Sequence, residues 1–149
     1  MELGAGTGAI TKSLMAIRSQ LSDLIVIEKS ARLVDLLIKR YPSLNITADC
    51  ASGLDKLRFP TEEPLTIVSS LPLRSLPYSE LNAIRDAIGV LSTRHPGFRF
   101  IQYSYFGKVP FVSPGPWLSW AKKQVVFTNI PPATIWVLEQ RDEGNVSHE

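Results

Sequence analysis

Two periods of apolar residues run along the chain. Leu24-Ile25-Val26-Ile27, Leu44 to Ala48 and Leu65 to Val68 are short and apolar or β-branched, the length and character of strands buried in a sheet. Between them apolar residues recur every three or four positions, the period of a helix. Ile10, Leu14, Ile17 and Leu21 predict a helix of about three turns starting near Ala9. Leu33, Val34, Leu37, Ile38 and Tyr41 predict a second, capped by Ser30 and stopped by Pro42, and Leu81, Ile84, Ile88 and Leu91 a third, opened by Ser79. Counting as first a strand that ends at Glu2-Leu3, Phe98 to Phe106, between Pro96-Gly97 and Gly107, reads as the fifth. Gln124 to Thr128 and Thr134 to Leu138 read as two more, and their short connection requires an antiparallel pair. Residues 51–64 read as a loop or short helix, and Lys108 to Trp120 as an irregular, aromatic-rich connection.

Strands alternating with helices predict an α/β fold in which right-handed crossovers make the strands parallel neighbours. A chain of 149 residues, 44% hydrophobic and 20% charged, suits one domain, here 1–140, followed by a polar tail, 141–149, that frays. No run of 18 apolar residues and no charged segment leading into an apolar one is present, so the sequence shows neither a membrane-spanning helix nor a secretory signal, and a cytoplasmic protein is the default. One cysteine, Cys50, excludes an internal disulfide framework, and with only His95 and His148 beside it argues against a structural zinc site. The net charge of +2 is too mild to demand a nucleic-acid partner, although nine Lys/Arg against five Asp/Glu over 55–124 would suit an anionic surface.

The candidate chemistry begins at Glu2-Leu3-Gly4-Ala5-Gly6-Thr7-Gly8, a strand end turning into a helix whose free amides would face a ligand. Gly4, Gly6 and Ala9 satisfy the dinucleotide pattern G-x-G-x-x-G/A. A carboxylate at Glu2, facing the ligand, would repel a pyrophosphate and attract the ammonium and sulfonium of S-adenosylmethionine. Glu28, 24 residues beyond Gly4 at the end of the second strand, can accept both hydroxyls of an adenosine ribose, a spacing that serves NAD and S-adenosylmethionine equally.

The glycine segment resembles motif I of the class I methyltransferases, and the resemblance extends over nearly the whole chain. It implies a Rossmann-like sheet in the order 3-2-1-4-5-7-6, S-adenosylmethionine as cofactor, and a cofactor site drawn from Glu2, Gly4, Ala5, Gly6, Gly8, Glu28, Lys29, Asp49, Cys50 and Ser69, with Asp49 on the adenine amino group. No metal is implied. The loop after strand four carries acceptor chemistry in this fold. Adenine N6 methyltransferases, including the ribosomal RNA adenine dimethylases that Glu2 to Thr11 also resembles, use an Asn/Asp-x-Pro-Tyr type loop, whereas this chain has Ser70-Leu71-Pro72-Leu73, without the stacking aromatic or the amide. Val68 to Pro77, Ile101 to Tyr105 and Asn129 to Trp136 together resemble the bacterial phospholipid N-methyltransferases, which methylate the amine of phosphatidylethanolamine.

That second resemblance implies a catalytic set of Ser70, Leu71, Pro72 and Tyr103, a substrate set of Leu73, Arg74 and Tyr105, and a phospholipid headgroup or membrane surface as partner, reached from the inner face. Tyrosine faces would hold the increasingly methylated ammonium by cation–π attraction, with at most one of Tyr103 and Tyr105 at the pocket and strand packing as the alternative for both. Arg74 would bind the lipid phosphate or stand exposed without a partner. Phe111, Trp117, Leu118, Trp120, Lys122 and Lys123 read as an interfacial segment, or as aromatics packed under a long connection. No general base is evident, His95 reading as structural or exposed and His148 as part of the tail. In the resembled families several apolar residues and a helical segment precede the acid of motif I; here only Met1 precedes Glu2, and adding an upstream segment is expected to raise thermal stability and cofactor affinity. Two other functions stay open: an RNA methyltransferase, and a cofactor-binding domain without turnover.

Overall fold

A computed structural model of the chain describes residues 1–58, 63–105, 107–127 and 132–141. Its strands are Glu2–Leu3 (β1), Ile25–Glu28 (β2), Asn45–Ala48 (β3), Thr66–Ser69 (β4), Arg99–Tyr105 (β5), Leu118–Val126 (β6) and Ala133–Gln140 (β7), and its helices Ala9–Ala16 (α1), Ala31–Arg40 (α2) and Tyr78–Arg94 (α3). All seven strands join one sheet in the order β3-β2-β1-β4-β5-β7-β6. The pairings among β1 to β5 are parallel, and β7 runs antiparallel to both β5 and β6. Fold class and strand order are therefore those expected.

Strand alternation gives the sheet two apolar faces. Leu3, Ile27, Ile67 and Phe100 pack with Ile84, Ile88 and Leu91 of α3. On the other face Leu24 and Val26 pack with Leu37 of α2 and with Leu14 and Met15 of α1. Each fully buried side chain of this size stabilises the fold by about 1.5–3 kcal/mol. Because β1 to β5 are parallel, their carboxyl ends all reach one edge, where open α/β sheets bind ligands.

Several expectations need correction. α1 is 8 residues long and ends at Ala16. Ile17 is 40% exposed and leads into a 3-10 turn, Arg18–Gln20, so it is not part of the buried stripe. Ile38 is 47% exposed, because Val34 and Leu37 already fill the α2 contact with the sheet. Ser30 takes the N-cap position of α2 without a side-chain bond, whereas Ser79 lies inside α3, whose N-cap is Pro77. β6 starts at Leu118, inside the segment read as irregular, since its register with β7 runs back to the Leu118–Gln140 pair. Cross-strand pairing there overrides a local pattern that the lysines obscure. Residues 51–56 form a 3-10 turn.

Most of the aromatic connection packs inward, while Trp117 stays 43% exposed. Phe100, Phe111 and Trp120 stack at centroid distances of 5.1–6.1 Å, and Trp120 Nε1 donates to the Phe111 carbonyl at 2.9 Å. Leu118 is fully buried, Trp117 donates its indole N–H to Ser92 Oγ, and Lys123 pairs with Glu139 at 2.7 Å. Expectations for Phe106, for Thr128 to Pro131 and for 142–149, which includes His148, lie outside the described residues.

Candidate active site

The glycine turn begins where β1 ends. Gly4 donates its amide to the Ile27 carbonyl at 2.8 Å and has φ 72°, a left-handed conformation that side-chain-bearing residues adopt only with strain. A Cβ on Gly4 would also overlap the Leu71 side chain. Gly6, at φ 58°, has no heavy atom within 4 Å of where a Cβ would lie, so open space stands over the turn. Gly8 serves packing instead, since a Cβ there would sit 3.0 Å from Leu37 and 3.3 Å from Tyr41, and the glycine lets α2 approach the turn from behind. Ala5 is likewise buried in the α1 and α2 core rather than lining a cleft.

Glu28 locks this turn to β2. Its Oε2 accepts the Gly6 amide and its Oε1 the Ser30 amide, both at 2.9 Å. Each carboxylate oxygen keeps a second lone pair for another donor. Beside it a cleft is lined by Leu3, Gly4, Ile27, Lys29, Asp49, Cys50, Leu71 and Leu76. Glu80, from the first turn of α3, closes the far side: Lys29 Nζ stands 3.5 Å from its carboxylate and Cys50 Sγ 3.7 Å. Glu80 carries no signal in the sequence, because a glutamate in the first turn of a helix is ordinary on dipole grounds alone.

The donor set fits an adenosyl group: carboxylates at the ends of β2 and β3 for hydroxyl and amino donors, with Leu3, Ile27 and Leu76 as apolar walls for a base. The cleft is shallow and open to solvent on the side of Lys29, whose side chain is exposed.

Glu2 does not face this cleft. Alternation along β1 turns Leu3 toward α3 and Glu2 to the opposite face, where it is 0% exposed and both carboxylate oxygens lack a hydrogen-bond partner. Burial raises its pKa above the usual glutamate value, opposed by the nearby Thr11 and the amino terminus. Thr11 Oγ1 is also buried without a partner, so the two groups lie near each other short of hydrogen-bond geometry.

The loop after β4 is strapped to the glycine turn. Ser70 Oγ donates to the Gly4 carbonyl at 2.7 Å, which commits its hydroxyl to holding the loop. Ser69 is fully buried, accepts the Leu71 amide at 3.3 Å and lines neither cleft. Beyond Leu71 opens a second cleft of about 340 Å³, lined by Pro72, Arg74, Gln102, Tyr103, Tyr105 and Pro110 among others. Leu73 contributes to its floor but is 2% exposed and belongs to the core. Both tyrosines line the groove, contrary to expectation, because residues two apart on a strand share a face. Their rings meet edge to face at 5.2 Å with hydroxyls 3.3 Å apart. Arg74 is exposed at the rim, and no carboxylate among the described residues pairs with it. Gln102, absent from the sequence-based set, joins groove to loop: its Nε2 donates to the Leu71 carbonyl at 3.0 Å and to the Tyr103 carbonyl at 2.6 Å. His95 is 3% exposed with Nδ1 3.1 Å from the Glu63 carbonyl, a structural position.

The seven-stranded sheet in the order 3-2-1-4-5-7-6, with two clefts at its carboxyl edge on either side of Leu71, is that of a Rossmann-like methyltransferase fold. No known family model and no curated protein matches the chain. Solved structures do: TrmN from Thermus thermophilus superposes with a TM-score of 0.67 at 13% identity over 94% of this chain, which spans only 43% of TrmN. The N-methyltransferase NodS from Bradyrhizobium japonicum WM9, in complex with S-adenosyl-L-homocysteine, gives 0.65 at 18% identity, covering 95% of this chain and 76% of NodS. CalS10, an amino pentose methyltransferase from Micromonospora echinaspora with S-adenosylmethionine bound, gives 0.51 at 16% identity, covering 83% and 48%. At these identities the likeness establishes the fold. Among the described residues no helix is long and apolar enough to cross a membrane, and no cluster of side chains could hold a metal ion.

Proposed function

We propose that the protein transfers methyl groups from S-adenosylmethionine to the amine of a phospholipid headgroup such as phosphatidylethanolamine, working at the cytoplasmic face of a membrane. One observation carries this reading: the groove holding Tyr103, Tyr105 and Arg74 shares the Leu71 wall with the cleft holding Gly4, Glu28 and Asp49. When bound, the cofactor supplies an electrophilic methyl on a sulfonium. Glu28 and Asp49 hold its adenosine, and the Gly4 to Gly6 backbone admits its methionine end. The tyrosine faces attract the cationic headgroup, Arg74 forks onto its phosphate, and Leu71 and Pro72 exclude water where the amine meets the methyl. No carboxylate or histidine lines the groove among the described residues, and the amine enters it neutral, its proton left in bulk solvent beforehand. Among the structural neighbours, NodS is an N-methyltransferase and CalS10 an amino pentose methyltransferase.

The test offers radiolabelled S-adenosylmethionine with phosphatidylethanolamine vesicles and with RNA in parallel, alongside calorimetric cofactor binding. Label in lipid is expected. Label in RNA alone would make the protein an RNA methyltransferase, and cofactor binding with no label in either would leave a binding domain without turnover.

A further inference from the structure

Gln102 combines burial, position and an unused polar atom in a way that packing alone leaves unexplained. It is 2% exposed and lines the acceptor groove between the β4 loop and the tyrosines. Its amide nitrogen is fully occupied by the carbonyls of Leu71 and Tyr103. Those two bonds fix which end of the amide is which, since the reverse orientation would set the amide oxygen against two carbonyl oxygens. Its Oε1 is buried with no partner. A buried acceptor left unpaired costs stability, and a ligand in the groove that Gln102 lines completes it once a small shift at Leu71 uncovers the atom.

We infer that Gln102 Oε1 accepts an N–H of the acceptor amine and so makes this a site for amines that still carry one. The inference rests on the proposed function for its substrate class and adds a specificity determinant to it. Ser70 does not line the groove, and the tyrosine faces attract any cationic headgroup whether or not it bears an N–H. An amide oxygen is too weak a base to take the proton. It orients instead: with one N–H held by Oε1, the nitrogen lone pair is turned toward the loop wall at Leu71, on the far side of which the cofactor cleft lies. A neutral primary or secondary amine has an N–H to give, and a neutral tertiary amine has none. Successive methylation therefore removes the handle that Gln102 uses, and the step acting on a dimethylated headgroup proceeds without it.

A second orphan lies close by. Trp136 stands opposite Gln102 in the β5–β7 register, and its Nε1 is also buried without a partner. If the two side chains satisfied each other in solution, Oε1 would be closed to a ligand, so the test includes a tryptophan variant.

The experiment uses the full chain and compares wild type, Gln102→Met and Trp136→Phe. One measurement is NMR titration with phosphoethanolamine and with phosphocholine in the absence of cofactor, the second probe having no N–H. Wild type should favour phosphoethanolamine, Gln102→Met should lose that preference, and Trp136→Phe should keep it. The other is methyl transfer to unmethylated and to dimethylated phosphatidylethanolamine. Gln102→Met should lower kcat/KM about tenfold on the first, the scale of one lost hydrogen bond at a reacting group, and leave the second within about twofold. Equal losses on both lipids would reduce Gln102 to a strut for the loop and overturn the inference while leaving the proposed function intact. So would a wild-type groove that binds the two probes alike or binds neither. Transfer to no lipid, with the N–H preference still present in the titration, would instead overturn the phospholipid reading and leave Gln102 as an amine-recognition residue.

Discussion

Glu2 and Gly4 show how much a single residue near the turn controls. Glu2 is an acid whose pKa burial raises, so the folded state holds its proton more tightly than the unfolded state does. The stability this gives is present in full below the ordinary glutamate pKa and is lost as pH rises through the folded value. Glu2→Gln, which cannot ionise, should match the parent in thermal denaturation near pH 4 and exceed it increasingly toward pH 7. A gap that stays constant across that range would contradict the assignment. At Gly4, alanine meets both a left-handed backbone and the Leu71 side chain. Gly4→Ala should lose about 1–2 kcal/mol of stability from the backbone alone, read by chemical denaturation, and cofactor titration should show weakened binding as well. Glu28 and Asp49 were legible in the sequence because strand-end positions follow directly from the apolar runs. The direction of Glu2 was not, since two residues of strand give no alternation from which to read a face. Gln102 escaped notice for the opposite reason: one polar residue among aromatics looks like the solvent side of a strand, and only the sheet shows that it lies alongside Phe100 on the buried side.

The loop after β4 and the turn after β1 behave as one unit because Ser70 ties them together. Ser70→Ala removes a single hydroxyl donor, with an expected cost of about 1 kcal/mol in unfolding free energy. It should also loosen the Leu71 wall and raise the dissociation constant for cofactor several-fold by calorimetry. Were Ser70 instead a group that acts on the amine, the same change would reduce turnover while leaving cofactor affinity untouched. Helices and central strands were readable from periodicity. The start of β6 was not, because Lys122 and Lys123 hide a strand whose existence depends on β7, and neither was the packing of Phe111 and Trp120, because their partner Phe100 lies on another strand.

Across the whole molecule, ligand binding and folding are linked through Glu28, whose two oxygens join the glycine turn to the start of α2. A ligand that binds only the folded chain adds about 2.7 kcal/mol of stability at a hundredfold excess over its dissociation constant. S-adenosylmethionine should therefore raise the Tm of the parent measurably. Glu28→Gln puts an amide donor against one of two backbone donors, and the same ligand concentration should then give little or no shift. The architecture as a whole was legible because alternating strands and helices admit few topologies, whereas the presence of two clefts was not, since each is assembled from loops distant in sequence.

The Gly4 amide is bonded to β2 and the Gly4 carbonyl to the loop leaving β4, so one residue bridges the ends of three neighbouring strands. Under the proposed reaction the separation of donor and acceptor is then inherited from ladder spacing, not from closure of one body upon another. Turnover limited by chemistry in such a scaffold should be nearly indifferent to added viscosogen, and a rate that falls in proportion to solvent viscosity would show that a larger motion intervenes.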